Sequence, residues 1–109
     1  MDVFPKFIIE TDEDGDYMII AKCTFHRQLA SNEDRVKGGG SWNLNHELKQ
    51  FTLSGKSHEF GPCEIRDIAT CVQNKRVYSS SAMYRNFSDF SFKFYESGKG
   101  LIDLDNFKL

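Results

Sequence analysis

One stretch of the sequence restricts the fold more than any other, because it carries the repeat of an amphipathic helix within an otherwise strand-like chain. After Gly61 and Pro62, apolar residues recur at the i, i+3, i+4 and i+7 positions of one helix face. These residues are Ile65, Ile68, Ala69 and Val72. Because proline is well tolerated in the first turn of a helix, the pattern predicts a helix over residues 62–73. A single helix among several strand-type runs favours an α+β domain with this helix packed on a sheet.

The other apolar residues are grouped as in β-strands. Residues 4–10 and 17–25 are rich in β-formers and flank an acidic segment with the pair Asp14-Gly15, which predicts an opening hairpin. Residues 26–40 are polar and end in three glycines, so we expect a connector and a bend there. Further strand-type runs are residues 51–53, Val77 and Tyr78, the alternating Phe90, Phe92 and Phe94, and an edge strand at 101–104. Together these runs predict a mixed or antiparallel sheet.

Length and composition limit the class of protein. A chain of 109 residues corresponds to one domain over residues 1–109. Its 39% hydrophobic and 28% charged residues are ordinary for a globular protein, which disfavours disorder. The apolar runs are too short for a membrane span, and the first residues lack the basic start of a signal peptide. A net charge of −2 without a basic stripe disfavours nucleic acid. We therefore expect a cytoplasmic domain that binds neither membrane nor nucleic acid.

Two groups of residues invite a metal interpretation. The cysteines are Cys23, Cys63 and Cys71. Their odd number and spacing match no zinc motif, which indicates a reduced chain with buried or inert thiols. Asp12, Asp14 and Asp16 fall at the first three ligand positions of an EF-hand loop. The match then fails, since Tyr17 stands where glycine is needed and Cys23 where glutamate is needed. A solvated acidic turn is favoured, and we expect no metal and no other cofactor.

The order of elements over residues 51–73 gives the candidate site: a strand, a glycine-containing loop and a helix N-terminus. Unpaired amides and the positive end of the helix dipole favour a phosphate or carboxylate held by residues 55–63. Residues 35–99 hold ten Lys and Arg against six Asp and Glu, which adds a mild attraction for anions. The anion-binding candidates are Gly55, Lys56, Ser57, His58, Glu59 and Gly61. A plain connection between strand and helix is the alternative interpretation.

The residues of this loop also suggest two kinds of catalysis. The run Ser54 to Ser57 imitates the end of a P-loop, but Gln50 stands where the first glycine belongs, which disfavours nucleotide hydrolysis. An imidazole titrates near neutrality and can act as nucleophile or general base, so His58 in the loop and His26 are catalytic candidates. A structural role for the histidines, including His46, is the alternative.

Two motifs share their spacing with a known family. Gly38, Gly39 and Gly40 are followed by a polar turn, a strand, and the sequence Gly-Lys-Ser-His-Glu-Phe-Gly-Pro at 55–62. This order resembles the core of the janus/protein histidine phosphatase family, and the acidic turn and strand at 12–21 add to the likeness over roughly half the chain. The resemblance implies a small α+β domain with helices packed on a central mixed sheet. It also implies a phosphate held at 55–62 by backbone amides and a serine hydroxyl.

By motif position this serine is Ser57, and the family has alanine at Glu59, where a carboxylate would repel phosphate. The family's catalytic histidine lies in a helical segment before the triple glycine, where this chain has only about a dozen residues and His26 without the family's flanking residues. The resemblance therefore implies a non-catalytic domain that binds a phosphate-bearing or acidic partner at residues 55–62.

Two alternatives stay open. One is an active protein phosphohistidine phosphatase that uses His26 or His58. The other is a small viral or accessory interaction or inhibitory protein with an exposed apolar patch at Tyr84 and Phe87, in a stretch that is long for a loop.

Overall fold

Seven strands form one mixed sheet in the computed structural model, which describes residues 2–79 and 89–109. The strands are β1 (Phe4–Asp12), β2 (Gly15–Cys23), β3 (Val36–Asn45), β4 (Gln50–Ser54), β5 (Val77–Ser79), β6 (Ser91–Glu96) and β7 (Gly100–Asp103). Their order across the sheet is β5-β2-β1-β3-β4-β6-β7, with parallel pairs β2/β5 and β4/β6 and antiparallel pairs elsewhere. The helix α1 (Ile65–Gln73) connects β4 to β5. The expected α+β class is confirmed.

The opening hairpin is confirmed, because β1 and β2 pair without interruption from Phe4 opposite Cys23 to Asp12 opposite Gly15. Strand β2 ends earlier than the sequence predicts. The Gln28 side chain accepts hydrogen bonds from the two amides that follow the strand, at 2.9 Å and 2.8 Å, and turns the chain into a short 3-10 helix (His26–Leu29).

The triple glycine does not form the expected bend but lies inside β3. A Cβ atom on Gly39 would come within 2.5 Å of the Phe7 carbonyl oxygen, and one on Gly40 within 2.5 Å of the Ser54 carbonyl oxygen. These glycines therefore let neighbouring backbone approach closely in the sheet, which a turn-based interpretation of glycine overlooks.

The core lies between the sheet and α1. Phe7 and Ile9, at alternate positions of β1, point to the face of the sheet that α1 covers. Ile68 and Ala69 of α1 are fully buried against this face. The helix starts three residues later than predicted, at Ile65, since the residue before it is still extended. With nine residues it is too short to cross a membrane, and no helix of the described residues could do so. The rest of the core is Met18, Ile20, Trp42, Phe51, Leu53, Cys71, Val72, Phe92, Phe94 and Leu104.

The connection from β2 to β3 lies on the other face of the sheet. Residues 24–35, which we call the strap, contain the first 3-10 helix and a second one (Glu33–Arg35). Both helices contact β1, and the first also contacts β2. Ile8, which points away from α1, is fully buried on this second face. The strap thus supplies a second layer over β1 and β2.

Candidate functional site

The loop after β4 is closed around Ser57, a residue that is only 1% exposed. The Ser57 Oγ accepts hydrogen bonds from the amides of Glu59 and Phe60, both at 3.1 Å. The amide of Ser57 donates to the Gly61 carbonyl at 3.2 Å, and the Gly61 amide donates back to the Ser57 carbonyl at 2.8 Å. The Gly61 carbonyl also accepts from Gly39 of β3 at 3.1 Å. These bonds tie the loop to itself and to the sheet.

Four amides of the backbone cradle that the sequence suggests for an anion already donate to oxygens of the chain itself. The amides of residues 57, 59, 60 and 61 are all donors in the bonds just described. A serine hydroxyl commonly competes for amides two or three residues further along the chain. Gly55 and Gly61 have positive φ angles of 74° and 79°, which lets the loop reverse direction. Lys56 and His58 flank Ser57 and are exposed.

The helix N-terminus is a separate feature from this loop. The amides of Asp67 and Ile68 donate to the Glu64 carbonyl at 3.0 Å and 3.2 Å. The Asp67 side chain stands in the first turn, where a carboxylate complements the helix dipole. Lys37 of β3 pairs with Asp67 at 3.1 Å. The positive end of the dipole therefore already has a carboxylate of the chain beside it.

His26 is held inside the fold. It is 5% exposed, and its Nε2 lies 2.8 Å from the Gly40 carbonyl, so this nitrogen donates a proton to an oxygen that can only accept. Burial lowers the pKa of His26 below the ordinary histidine range, although the bond to Gly40 acts in the opposite direction. A Cβ on Gly39 would lie 3.0 Å from the His26 ring and 3.3 Å from the Ser57 Cβ. The structure thus places the side chains of His26 and Ser57 close together over Gly39. Both side chains already form hydrogen bonds to the backbone.

The carboxylate of Glu59, which the sequence suggests would repel phosphate, forms an ion pair with Arg27 at 3.2 Å. Arg27 belongs to the strap and also lies over the Phe25 ring, 4.3 Å from its centre. Sequence reasoning missed Arg27, because the two partners are 32 positions apart and no local motif connects them. The ion pair joins the strap to the loop and offsets the charge of Glu59.

The other residues considered from the sequence lie outside this loop or have unreactive side chains. In the acidic turn Asp12 pairs with Arg76 at 2.8 Å and Asp16 with Lys37 at 3.0 Å. The described residues contain no group of three or more His, Cys, Asp or Glu placed to hold a metal ion. All three cysteines are free, and burial raises the pKa of Cys63 and of Cys71 to about 12. The suggested patch at Tyr84 and Phe87 lies outside the described residues.

The fold and the loop define a small α+β domain with a closed, self-bonded turn ahead of its helix. No protein-family model matches the chain. The search of curated proteins gives no match either.

Proposed function

We propose that this protein is a non-catalytic, janus-like domain that binds an anionic group of a partner at residues 55–62. The group is a phosphate or a carboxylate, and the side chains of Lys56 and His58 hold it. One observation carries the proposal: the loop closes on Ser57 and leaves these two neighbours exposed. The three free thiols support a reducing compartment, so we assign the domain to the cytoplasm.

A non-catalytic role is supported by where two polar groups of the site, Ser57 and His26, are engaged. Phosphoryl transfer requires a nucleophile and donors aimed at the charge that develops in the transition state. Ser57 is buried and accepts two amide bonds, and the Nε2 of His26 donates to a carbonyl. Neither residue is therefore poised to attack a phosphorus atom, and the amides of residues 57, 59, 60 and 61 already have acceptors.

Binding of an anion is supported by the charges at the loop surface. Lys56 is exposed and forms no ion pair with another described residue. The opposing carboxylate, Glu59, is paired with Arg27. A ligand at the loop would therefore meet one free ammonium group and an imidazole, with the nearest negative charge already compensated.

The proposal is tested by titrating the protein, labelled with nitrogen-15, with inorganic phosphate, a phosphohistidine peptide and an acidic peptide, while phosphate release is followed in parallel. We expect shifts at the amides of residues 55–61 and no release. Lys56→Ala and His58→Ala should each weaken binding by about tenfold, the lower end of what a hydrogen bond to a charged group contributes. Lys108→Ala, at another exposed lysine, should leave binding unchanged.

Two results would overturn the proposal. One is a lack of response of the loop amides to all three ligands. The other is turnover of phosphohistidine that Ser57→Ala, His26→Gln or His58→Ala abolishes, which would favour the phosphatase alternative.

A further inference from the structure

The strap is fixed in its C-terminal half, at Ser31 and Asn32, by a carboxylate of the sheet. Glu10 of β1 is 2% exposed and points to the strap side. It accepts hydrogen bonds from the amides of Ser31 and Asn32, at 2.9 Å and 3.4 Å, and from the hydroxyls of Ser31 and Tyr17. Four donors therefore converge on one side chain, and three of them belong to the strap. No lysine or arginine of the described residues forms an ion pair with it.

This arrangement depends on Glu10 being the only negative charge in the cluster. Burial alone would raise the pKa of Glu10, but the bonds from Ser31, Tyr17 and Asn32 together lower it. The carboxylate is thus ionised at neutral pH and held by neutral donors. A second anion among these donors would meet it directly and without a compensating cation.

Ser31 is the member of the cluster that an enzyme can reach. The residue is exposed and lies in irregular chain between the two 3-10 helices of the strap. The next residues are Asn32, Glu33 and Asp34, all exposed. A hydroxyl followed closely by carboxylates has the charge pattern that a kinase with a basic substrate groove selects.

We propose that Ser31 is a phosphorylation site and that its modification releases the strap from the sheet. The Ser31 Oγ attacks the γ-phosphorus of ATP, and a new Oγ–P bond forms. The bond from that phosphorus to the bridging oxygen breaks, ADP leaves, and the hydroxyl proton passes to the catalytic base of the kinase. The product has lost the hydroxyl that donates to Glu10 and carries about −2 charge beside this carboxylate. Repulsion then separates residues 24–35 from β1.

The release is tested by hydrogen exchange on Ser31→Asp and Ser31→Asn, which have similar shape and differ in charge. We expect exchange of residues 24–35 to be faster in Ser31→Asp than in Ser31→Asn by about tenfold, with α1 unaffected. Adding Glu10→Gln to Ser31→Asp removes the repulsion and should restore most of the protection. Equal exchange in the two single variants would overturn the proposal whether or not the double variant folds.

The modification itself is tested with the full chain, ATP and an acidophilic serine/threonine kinase. We expect one phosphate mapped to Ser31 by mass spectrometry. Replacing Glu33 and Asp34 by Gln and Asn should slow its addition. Ser97, which is exposed but followed by Gly98 and Lys99, should stay unmodified. Phosphate at Ser97 but not at Ser31, or none at all, would contradict the assignment.

Discussion

Two buried side chains, those of Ser57 and Glu10, hold the two irregular segments of the molecule in place. The Ser57 hydroxyl accepts hydrogen bonds from two amides of the loop. The Glu10 carboxylate accepts them from two amides and one hydroxyl of the strap and from the Tyr17 hydroxyl of β2. In both cases a buried acceptor satisfies donors that regular secondary structure would otherwise pair. Because each of these side chains accepts several hydrogen bonds, replacing it removes more than one bond at once.

Replacing Ser57 by alanine removes the acceptor for the Glu59 and Phe60 amides. We expect the free energy of unfolding to fall by about 1–3 kcal/mol, because two part-buried amides each lose a hydrogen bond worth about 0.5–1.5 kcal/mol. Urea unfolding measures this loss. The matched control is Lys56→Ala, at the exposed position next to it, which should change stability by no more than about 0.5 kcal/mol. A Ser57→Ala variant as stable as the control would mean that water replaces the hydroxyl.

At the scale of elements, local pattern predicted the helix, the hairpin and most strands, but not β3. The apolar repeat at 65–72 and the alternation of Phe92 and Phe94 are local signals, and both elements form. Strand β3 contains three glycines, which lower strand propensity, so its place in the sheet depends on close packing with β1 and with the end of β4. The parallel pairs β2/β5 and β4/β6 likewise join distant segments that no local pattern connects.

The candidate site was also predictable from the sequence only in part. Sequence reasoning finds the exposed Lys56 and His58 because they belong to a contiguous motif. It does not find that the Ser57 hydroxyl takes up the loop amides, nor that Arg27 compensates Glu59, since both depend on the folded path of the chain. Long-range ion pairs leave no signal in a single sequence.

The close approach at the triple glycine is tested by Gly39→Ala. Its Cβ would meet the Phe7 carbonyl oxygen of β1 at 2.5 Å and the His26 ring at 3.0 Å, so strand or strap has to move. We expect a loss of about 1–3 kcal/mol in the free energy of unfolding, as for an overpacked core. Ser41→Ala, at an exposed position of the same strand, is the control. Thermal unfolding compares the two, and equal midpoints would show that the sheet absorbs the methyl group.

At the scale of the whole molecule, the two faces of the sheet are stabilised by different kinds of interaction. The face toward α1 is closed by apolar side chains, and their burial depends little on pH. The strap face contains Glu10 and His26, two buried groups that can bind a proton below neutral pH. From neutral pH down to about pH 4, the pH dependence of folding should therefore report mainly on the strap face, because Asp12 and Asp103, whose pKa values are also lowered, lose their contribution at lower pH.

Glu10 and His26 both make the folded state less stable as the pH falls, but they do so over different ranges of pH. Burial lowers the pKa of His26, so below about pH 6.5 the unfolded chain binds a proton that the folded chain does not. The pKa of Glu10 is also lowered, so its contribution is complete above about pH 4.3 and is lost as the pH falls further. Stability should decline in two steps as the solution is acidified from neutrality.

We therefore predict that His26→Gln removes the upper step and leaves the lower one. Its free energy of unfolding, measured in urea at intervals from about pH 7.5 to about pH 3.5, should be flatter than that of the parent chain above about pH 5. Both proteins should then lose stability in parallel below about pH 4. The exposed His46→Gln serves as the control and should follow the parent curve throughout. A His26→Gln curve that keeps the upper step would show that another group binds the proton, and that the His26 ring is not kept neutral by its burial under the strap.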